Sequence, residues 1–167
     1  MRVLFMLIAF LIVAAVIGGV VMVRTATDDA TVWHVNPLEA PTPATPNSFR
    51  VVPVLGGQPQ SAERVDMEAP IYAANPAIIA LALDEFALRQ PRTERIAGTP
   101  ESGWMTYVQR SDLMRYPDYV SVMIFELEDG NSTIALFSRS RFGHGDMGVN
   151  GDRMRRWLGT LSSFEVQ

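Results

Sequence analysis

Residues 3–23, VLFMLIAFLIVAAVIGGVVMV, carry no charged and no strongly polar side chain. No other stretch restricts the chain as severely, because a bilayer core leaves a backbone of this kind no open conformation but a helix. As a helix the run reaches about 31 Å, enough to cross the hydrocarbon of a membrane. Arg2 and the α-amino group flank one side, while Arg24 followed by Asp28 and Asp29 flanks the other. That bias puts the N-terminus in the cytoplasm and the remainder on the exported side. A cleaved signal peptide is the rival assignment, with an apolar core of about 7–15 residues ending at small side chains. Here a cut after Ala26 would leave Arg24 at the third position before it, and a cut after Ala15 would leave a hydrophobic stub. An uncleaved anchor over 1–24, single-pass in a bacterial inner membrane with a periplasmic C-terminal domain, is the expectation. Within it Ala14/Gly18 and Ala15/Gly19 are small residues at a spacing that would let two anchors pack closely.

The chain has no cysteine, which removes disulfides, thiolate nucleophiles and thiolate metal ligands. His34 and His144 lie far apart in sequence, so a zinc site of ordinary composition is not expected, and no motif implies a cofactor. All 14 basic residues are arginine. With Arg2 and Arg24 set aside, twelve arginines face 18 acids, a net charge of −6. Such a balance argues against a nucleic-acid partner and against broad adhesion to anionic lipid.

Residues 25–62 have the composition of a proline-rich spacer, with Pro37, Pro41, Pro43, Pro46, Pro53 and Pro59 interrupting any helix. Within it Phe49–Leu55 is apolar enough for an edge strand or a docking segment, and Pro53 excludes a central strand there. A globular pattern fills 63–167. Asn75-Pro76 starts a helix over 76–89, whose apolar stripe is Ile79, Ala82, Leu83 and Phe86 and which Pro91 ends. Extended segments follow at 93–97, 104–110, 119–128 and 133–141, the last two joined by a turn at Asp129-Gly130-Asn131-Ser132. A final helix begins at Asn150 as N-cap and presents Met154, Trp157, Leu158 and Leu161 on one side. The expected fold class is α+β: a two-layer domain with a roughly four-stranded antiparallel sheet and two helices, preceded by one transmembrane helix.

The stretch between the last strand and the last helix, SRSRFGHGDMGVN at 138–150, concentrates the polar chemistry. Gly143, Gly145 and Gly148 spell G-x-G-x-x-G. A dinucleotide site needs a crossover helix, a second parallel strand and a ribose-binding acid about 20 residues on. Only one helix fits between Gly148 and Gln167, so the spacing is a coincidence. Nor does G-K-[ST] follow, as a P-loop requires. A glycine-rich turn into a helix start can still bind an anion through free N–H groups. Arg139 and Arg141 share a strand face at period two, and Arg153 follows one turn into the helix. With Gly143, Gly145, Asp146, Gly148 and Asn150 they form the candidate surface for a small anionic ligand or a protein partner. The competing assignment has Asp146 fill the anion position internally, leaving the arginines a structural role. His144 and Asp146 are the pair a small hydrolase would use, although no nucleophile elbow accompanies them. Arg110, Asp112, Arg115 and Asp118 look like a polar loop, and Trp104, Tyr107 and Tyr119 like core or rim aromatics.

Ser138, Arg139, Ser140, Arg141, Gly143, Asp146, Gly148, Val149, Asn150 and Arg153, with Trp157-Leu158 beyond, resemble the closing motif of the bacterial and plastid family called domain of unknown function 1499. YVQRSDLMRYPDYVSV resembles that family's segment before the hairpin, and the likeness extends over about 63–164; Gly151 stands where the family pattern carries a basic residue. The resemblance implies an α+β domain with frequent membrane association, and it brings no activity, substrate or catalytic residue. The expected protein is a single-pass, membrane-anchored envelope module that binds or supports and does not catalyse, partnered with the bilayer through 3–23.

Overall fold

A computed structural model describes residues 1–166. The chain opens with helix α1 (Arg2–Arg24), long and apolar enough to cross a membrane. A short helix α2 (Ala30–Trp33) follows, capped by the Asp29 carboxylate on Thr31 N–H at 2.9 Å. Then come β1 (Ser48–Val52), β2 (Val54–Leu55), β3 (Gln58–Pro59), β4 (Met67–Glu68) and β5 (Ile71–Tyr72). Helix α3 (Pro76–Arg89) leads to β6 (Thr93–Thr99), β7 (Trp104–Arg110), β8 (Pro117–Glu126) and β9 (Ser132–Ser140), and α4 (Val149–Gly159) closes the domain.

The local signals of the sequence are met where chain chemistry alone decides. Asn75 caps α3 through its side chain on Ala77 N–H at 2.8 Å, with Pro76 at the first position. The helix ends at Arg89 because Gln90, preceding Pro91, takes an extended ψ of 141°. Gly130 at φ 79° and Asp129, accepting from Asn131 N–H at 3.0 Å, turn β8 into β9. Alternation along β7 sends Met105 and Tyr107 into the core and Thr106 to the opposite side, where its hydroxyl meets His34 Nδ1 at 2.9 Å.

The sheet itself is larger than expected. Among the described residues it has seven strands, in order β4-β1-β9-β8-β7-β6 with β5 also on β9, and four α-helices stand where an anchor and two were foreseen. The extra strands come from the proline-rich stretch and the segment after it. β1 pairs antiparallel with β9, Val51 opposite Leu136, and β4 adds to β1 in parallel, so the sheet is mixed and β1 is not an edge. Pro53 lies just past β1, where its missing N–H removes no ladder bond from that strand.

Helices α3 and α4 cover one face. Ile79, Leu83, Met154, Trp157 and Leu158 pack there on Tyr107, Val120, Val122, Ile134 and Leu136. The opposite face is covered by the stretch assigned as a spacer. Trp33 stacks on Tyr119 with ring centroids 3.8 Å apart, and His34 stacks on Trp104 at 4.1 Å. Arg50, only 1% exposed, reaches from β1 to the carbonyls of Pro37 and Ala40 and lies over the Phe137 ring at 3.8 Å. The proline-rich stretch is therefore a strap bonded across the sheet and not a free tether. Burial of Arg50 pushes its guanidinium pKa down, an effect that Glu63 and Asp66 oppose.

Candidate functional site

The strand-to-helix junction is built from both sides of β9. Successive strand residues face opposite ways, so Ser138 and Arg139 serve different layers. Ser138 Oγ points to α4 and donates to Asn150 Oδ1 at 2.5 Å. Arg139 points to the strap and donates to Trp33 O at 2.6 Å, Phe137 O at 3.2 Å and Ser121 Oγ at 3.2 Å. The rings of Phe137 and Trp33 lie within 5.0 and 5.4 Å of its charge. No carboxylate bonds it among the described residues. Burial, with the nearby Arg50 charge adding to it, pushes the Arg139 pKa down to about 10, so it stays charged at neutral pH.

Arg153, one turn into α4, lies in the other layer and is 3% exposed. Its guanidinium donates to Gln109 Oε1 at 2.6 Å, Asn150 Oδ1 at 2.6 Å, Ser138 Oγ at 3.1 Å and Asp118 Oδ2 at 2.7 Å. The three motif arginines consequently do not converge. Arg141 follows Arg139 on the strap side, half-buried, and donates to Thr27 O at 2.7 Å.

The glycines shape the connection. Gly148, at φ 83°, is the N-cap of α4 in the left-handed conformation, a backbone state that a side chain disfavours. The helix starts two residues earlier than the sequence suggests, with its cap at Gly148, which puts Asn150 inside α4 and not at its cap. Asn150 is fully buried, and its amide donates to Asn47 O at 2.9 Å and Ser140 Oγ at 3.1 Å. The capping is done by Asp146, whose two oxygens accept from Gly148 N–H at 3.0 Å and Asn150 N–H at 2.9 Å. Burial raises the pKa of this carboxyl, but the N–H bonds outweigh burial and hold it below the usual value. The anion position at the helix start is thus filled from within. Gly151 sits where its Cβ would come 3.0 Å from the Phe49 ring, which accounts for a glycine at a position where a basic residue was expected.

Gly143, His144, Gly145 and Met147 are exposed. With both Asp146 oxygens on backbone N–H groups, His144 has no carboxylate partner among the described residues. Trp104, Tyr107 and Tyr119 are core and rim aromatics as expected, and the latter two are fully buried. Arg110 and Asp118 belong to strand ends and not to a free polar loop. Sequence reasoning missed Asn47, Asp28, Trp33 and Arg50 as partners of this region. The signals were an arginine inside the apolar Phe49–Val52 run and adjacent aromatic rings at 33–34 in a supposed spacer.

A mixed sheet with two helices on one face and an N-terminal strap on the other, joined at a buried arginine–asparagine–aspartate junction, makes this an α+β domain preceded by a helix long and apolar enough to cross a membrane. The chain belongs to the DUF1499 family, proteins of unknown function, whose family model matches residues 40–161. No curated protein matches it.

Proposed function

We propose that this protein is a non-catalytic domain held against the exported face of a bacterial inner membrane by α1, and that the Ser138–Arg153 motif is an architectural lock within it. The observation that carries this reading is the clamp immediately after α1. The Asp28 carboxylate accepts from Arg110 at 2.8 and 2.9 Å and from the Tyr119 hydroxyl at 2.7 Å. Arg110 also donates to Ala26 O at 3.0 Å. A domain bonded to the residues that leave its anchor has little freedom to swing, which suits a role at the membrane and not at a distance. The occupied Asp146 and the isolated His144 support a non-catalytic role.

Paired C-terminal fusions test the orientation. Alkaline phosphatase should be active and a green fluorescent protein dark; the reverse pattern places the domain in the cytoplasm. Release of the mature chain by alkaline carbonate would show that α1 is not a retained anchor. An Arg141→Ala domain that stays folded and loses a partner would replace the lock with a binding site. A His144→Ala strain that loses a measurable turnover while the protein stays stable would replace this reading with an enzyme.

A further inference from the structure

One end of the sheet gathers the C-terminal end of α1, the turn between β7 and β8, and the loop before α4. Arg24, Arg110 and Arg115 line a cleft of about 310 Å³ there. Arg24 donates to Leu113 O at 3.2 Å, which ties the end of the anchor to the β7–β8 turn. That turn is closed by Ser111 N–H on Tyr116 O and Tyr116 N–H on Ser111 Oγ, both at 2.9 Å. Arg110 donates to Arg115 O at 3.2 Å, and Arg115 stands at φ 64°. Asp28 matches the charge of Arg110, and Asp112, the nearest exposed acid of the turn, is engaged by Arg92 at 3.0 Å. Arg24 and Arg115 have no carboxylate partner among the described residues. Beyond α1, the two most exposed large apolar side chains are Met147 at 99% and Leu113 at 79%, both on loops at this end. The opposite end of the sheet carries Glu101, Glu126, Glu128 and Asp129. Those four acids lie about the length of β8, about 30 Å, from the cleft, beyond a screening length of about 10 Å in ordinary salt; at the near end Asp29 caps α2, Asp118 is engaged by Arg153 and Asp146 by backbone N–H groups.

We propose that this end of the domain rests on the membrane surface, with Leu113 immersed in the interface and Arg24 and Arg115 binding the phosphate of an anionic lipid headgroup. The inference depends on α1 being a retained anchor, since that places the cleft at headgroup level. Leu113 then leaves water, and two unpaired guanidinium groups meet an acceptor suited to their donors.

The absence of cysteine lets single labels be placed without background. Full-length chains carrying Val13→Cys, Leu113→Cys or Asp129→Cys, each with an environment-sensitive fluorophore, would be reconstituted in vesicles of phosphatidylcholine alone or mixed with phosphatidylglycerol. Brominated lipid should quench the labels at 13 and 113 and spare the label at 129, and the emission at 113 should shift to the blue as phosphatidylglycerol rises. Arg24→Gln and Arg115→Gln should each raise the phosphatidylglycerol fraction at half-shift about fivefold. A quenched label at 13 with an aqueous label at 113 overturns this inference and leaves the anchor standing. An unquenched label at 13 overturns the anchor and the inference together. Equal shifts at 113 in both lipids overturn the assignment of the arginines to an anionic headgroup.

Discussion

Asp118→Asn separates an architectural junction from an open binding site. The substitution keeps the shape of the side chain and removes its charge. Arg153 would retain Gln109, Asn150 and Ser138 as acceptors and lose the one carboxylate that pairs with it among the described residues, in a place where its own side chain is 4% exposed. Removing one member of a buried ion pair costs about 3–5 kcal/mol. The 14% exposure of Asp118 and the amide oxygen that replaces its carboxylate oxygen favour the lower figure, about 3 kcal/mol. At about 2–4 °C per kcal/mol for a chain of this size, the midpoint should fall about 6–12 °C. Near-ultraviolet circular dichroism of the full chain in detergent is the appropriate assay. It follows the packed rings of Trp33, Trp104 and Trp157, and the persistent helicity of α1 does not mask the transition. Asp118→Leu with Arg153→Met should recover much of the loss, since the pair is then replaced by apolar volume. A midpoint for Asp118→Asn within about 1 kcal/mol of wild type, the scale of an exposed pair, would refute the reasoning.

Asp146→Ala should cost about 1–2 kcal/mol, because two N–H groups at the start of α4 lose their acceptor; the same thermal scan reads it. Because the folded pKa of Asp146 is depressed, its contribution is complete above the unfolded value of about 3.9. It disappears as pH falls through the lower folded value, so wild type and Asp146→Ala should converge in acid; a gap that persists there would exclude the carboxylate as its source. His144→Ala should leave the melting midpoint within about 0.5 kcal/mol of wild type, as an exposed loop side chain should. A drop of several degrees would contradict its isolation. Burial first, and then the bond to Asp28, push the Tyr119 phenol up to about 12. Ultraviolet titration should detect that late ionisation, and Asp28→Ala should bring it back toward about 10; an unchanged titration would contradict the clamp.

What the sequence made legible was chemistry settled within a few residues. Asn75-Pro76, Gln90-Pro91 and the turn at Gly130 each fix a local backbone state, and the elements they bound lie where those residues put them. The short strands β4 and β5 gave no pattern because two residues have no periodicity, and they exist only through pairing with β1 and β9. The strap was misjudged for a different reason. Its prolines do prevent a helix, but they do not prevent a stretched chain from laying Trp33 on Tyr119 or from offering carbonyls to Arg50. Spacing likewise grouped Arg139 with Arg153 by sequence proximity, when the alternation of β9 sends Ser138 toward α4 and Arg139 toward the strap. Asp146 was legible as a capping candidate, while the identity of the cap residue was not, since Gly148 and Asn150 compete for it until the helix is paired with its strand.

The position of the junction in the chain explains why so much polar chemistry is buried there. Asn47 O accepts from Asn150, and the Asn47 amide donates to Gly143 O at 2.9 Å. Ser140 N–H reaches Asn47 O as well, at 3.0 Å. One asparagine of the N-terminal stretch thus meets the last strand, the glycine loop and the last helix together. An apolar contact of the same area would tolerate sliding of β1 along β9, and a one-residue slip would turn Arg50 from the strap face into the core. A set of directional bonds that is satisfied in only one register opposes that slip, because the slipped state parts the buried Asn150 amide from Asn47 O and the Asn47 amide from Gly143 O. Fixing β1 fixes the strap, and fixing the strap fixes Asp28 against Arg110 and Tyr119. The arginine- and glycine-rich motif near the C-terminus is therefore tied by hydrogen bonds to the stretch that leads back to α1, and Asn47→Ala should loosen that end before it unfolds the core. Hydrogen exchange should find faster exchange at Thr31–His34 with β8 still protected, and uniform loss across both would show that the junction supports the whole fold and not the strap alone.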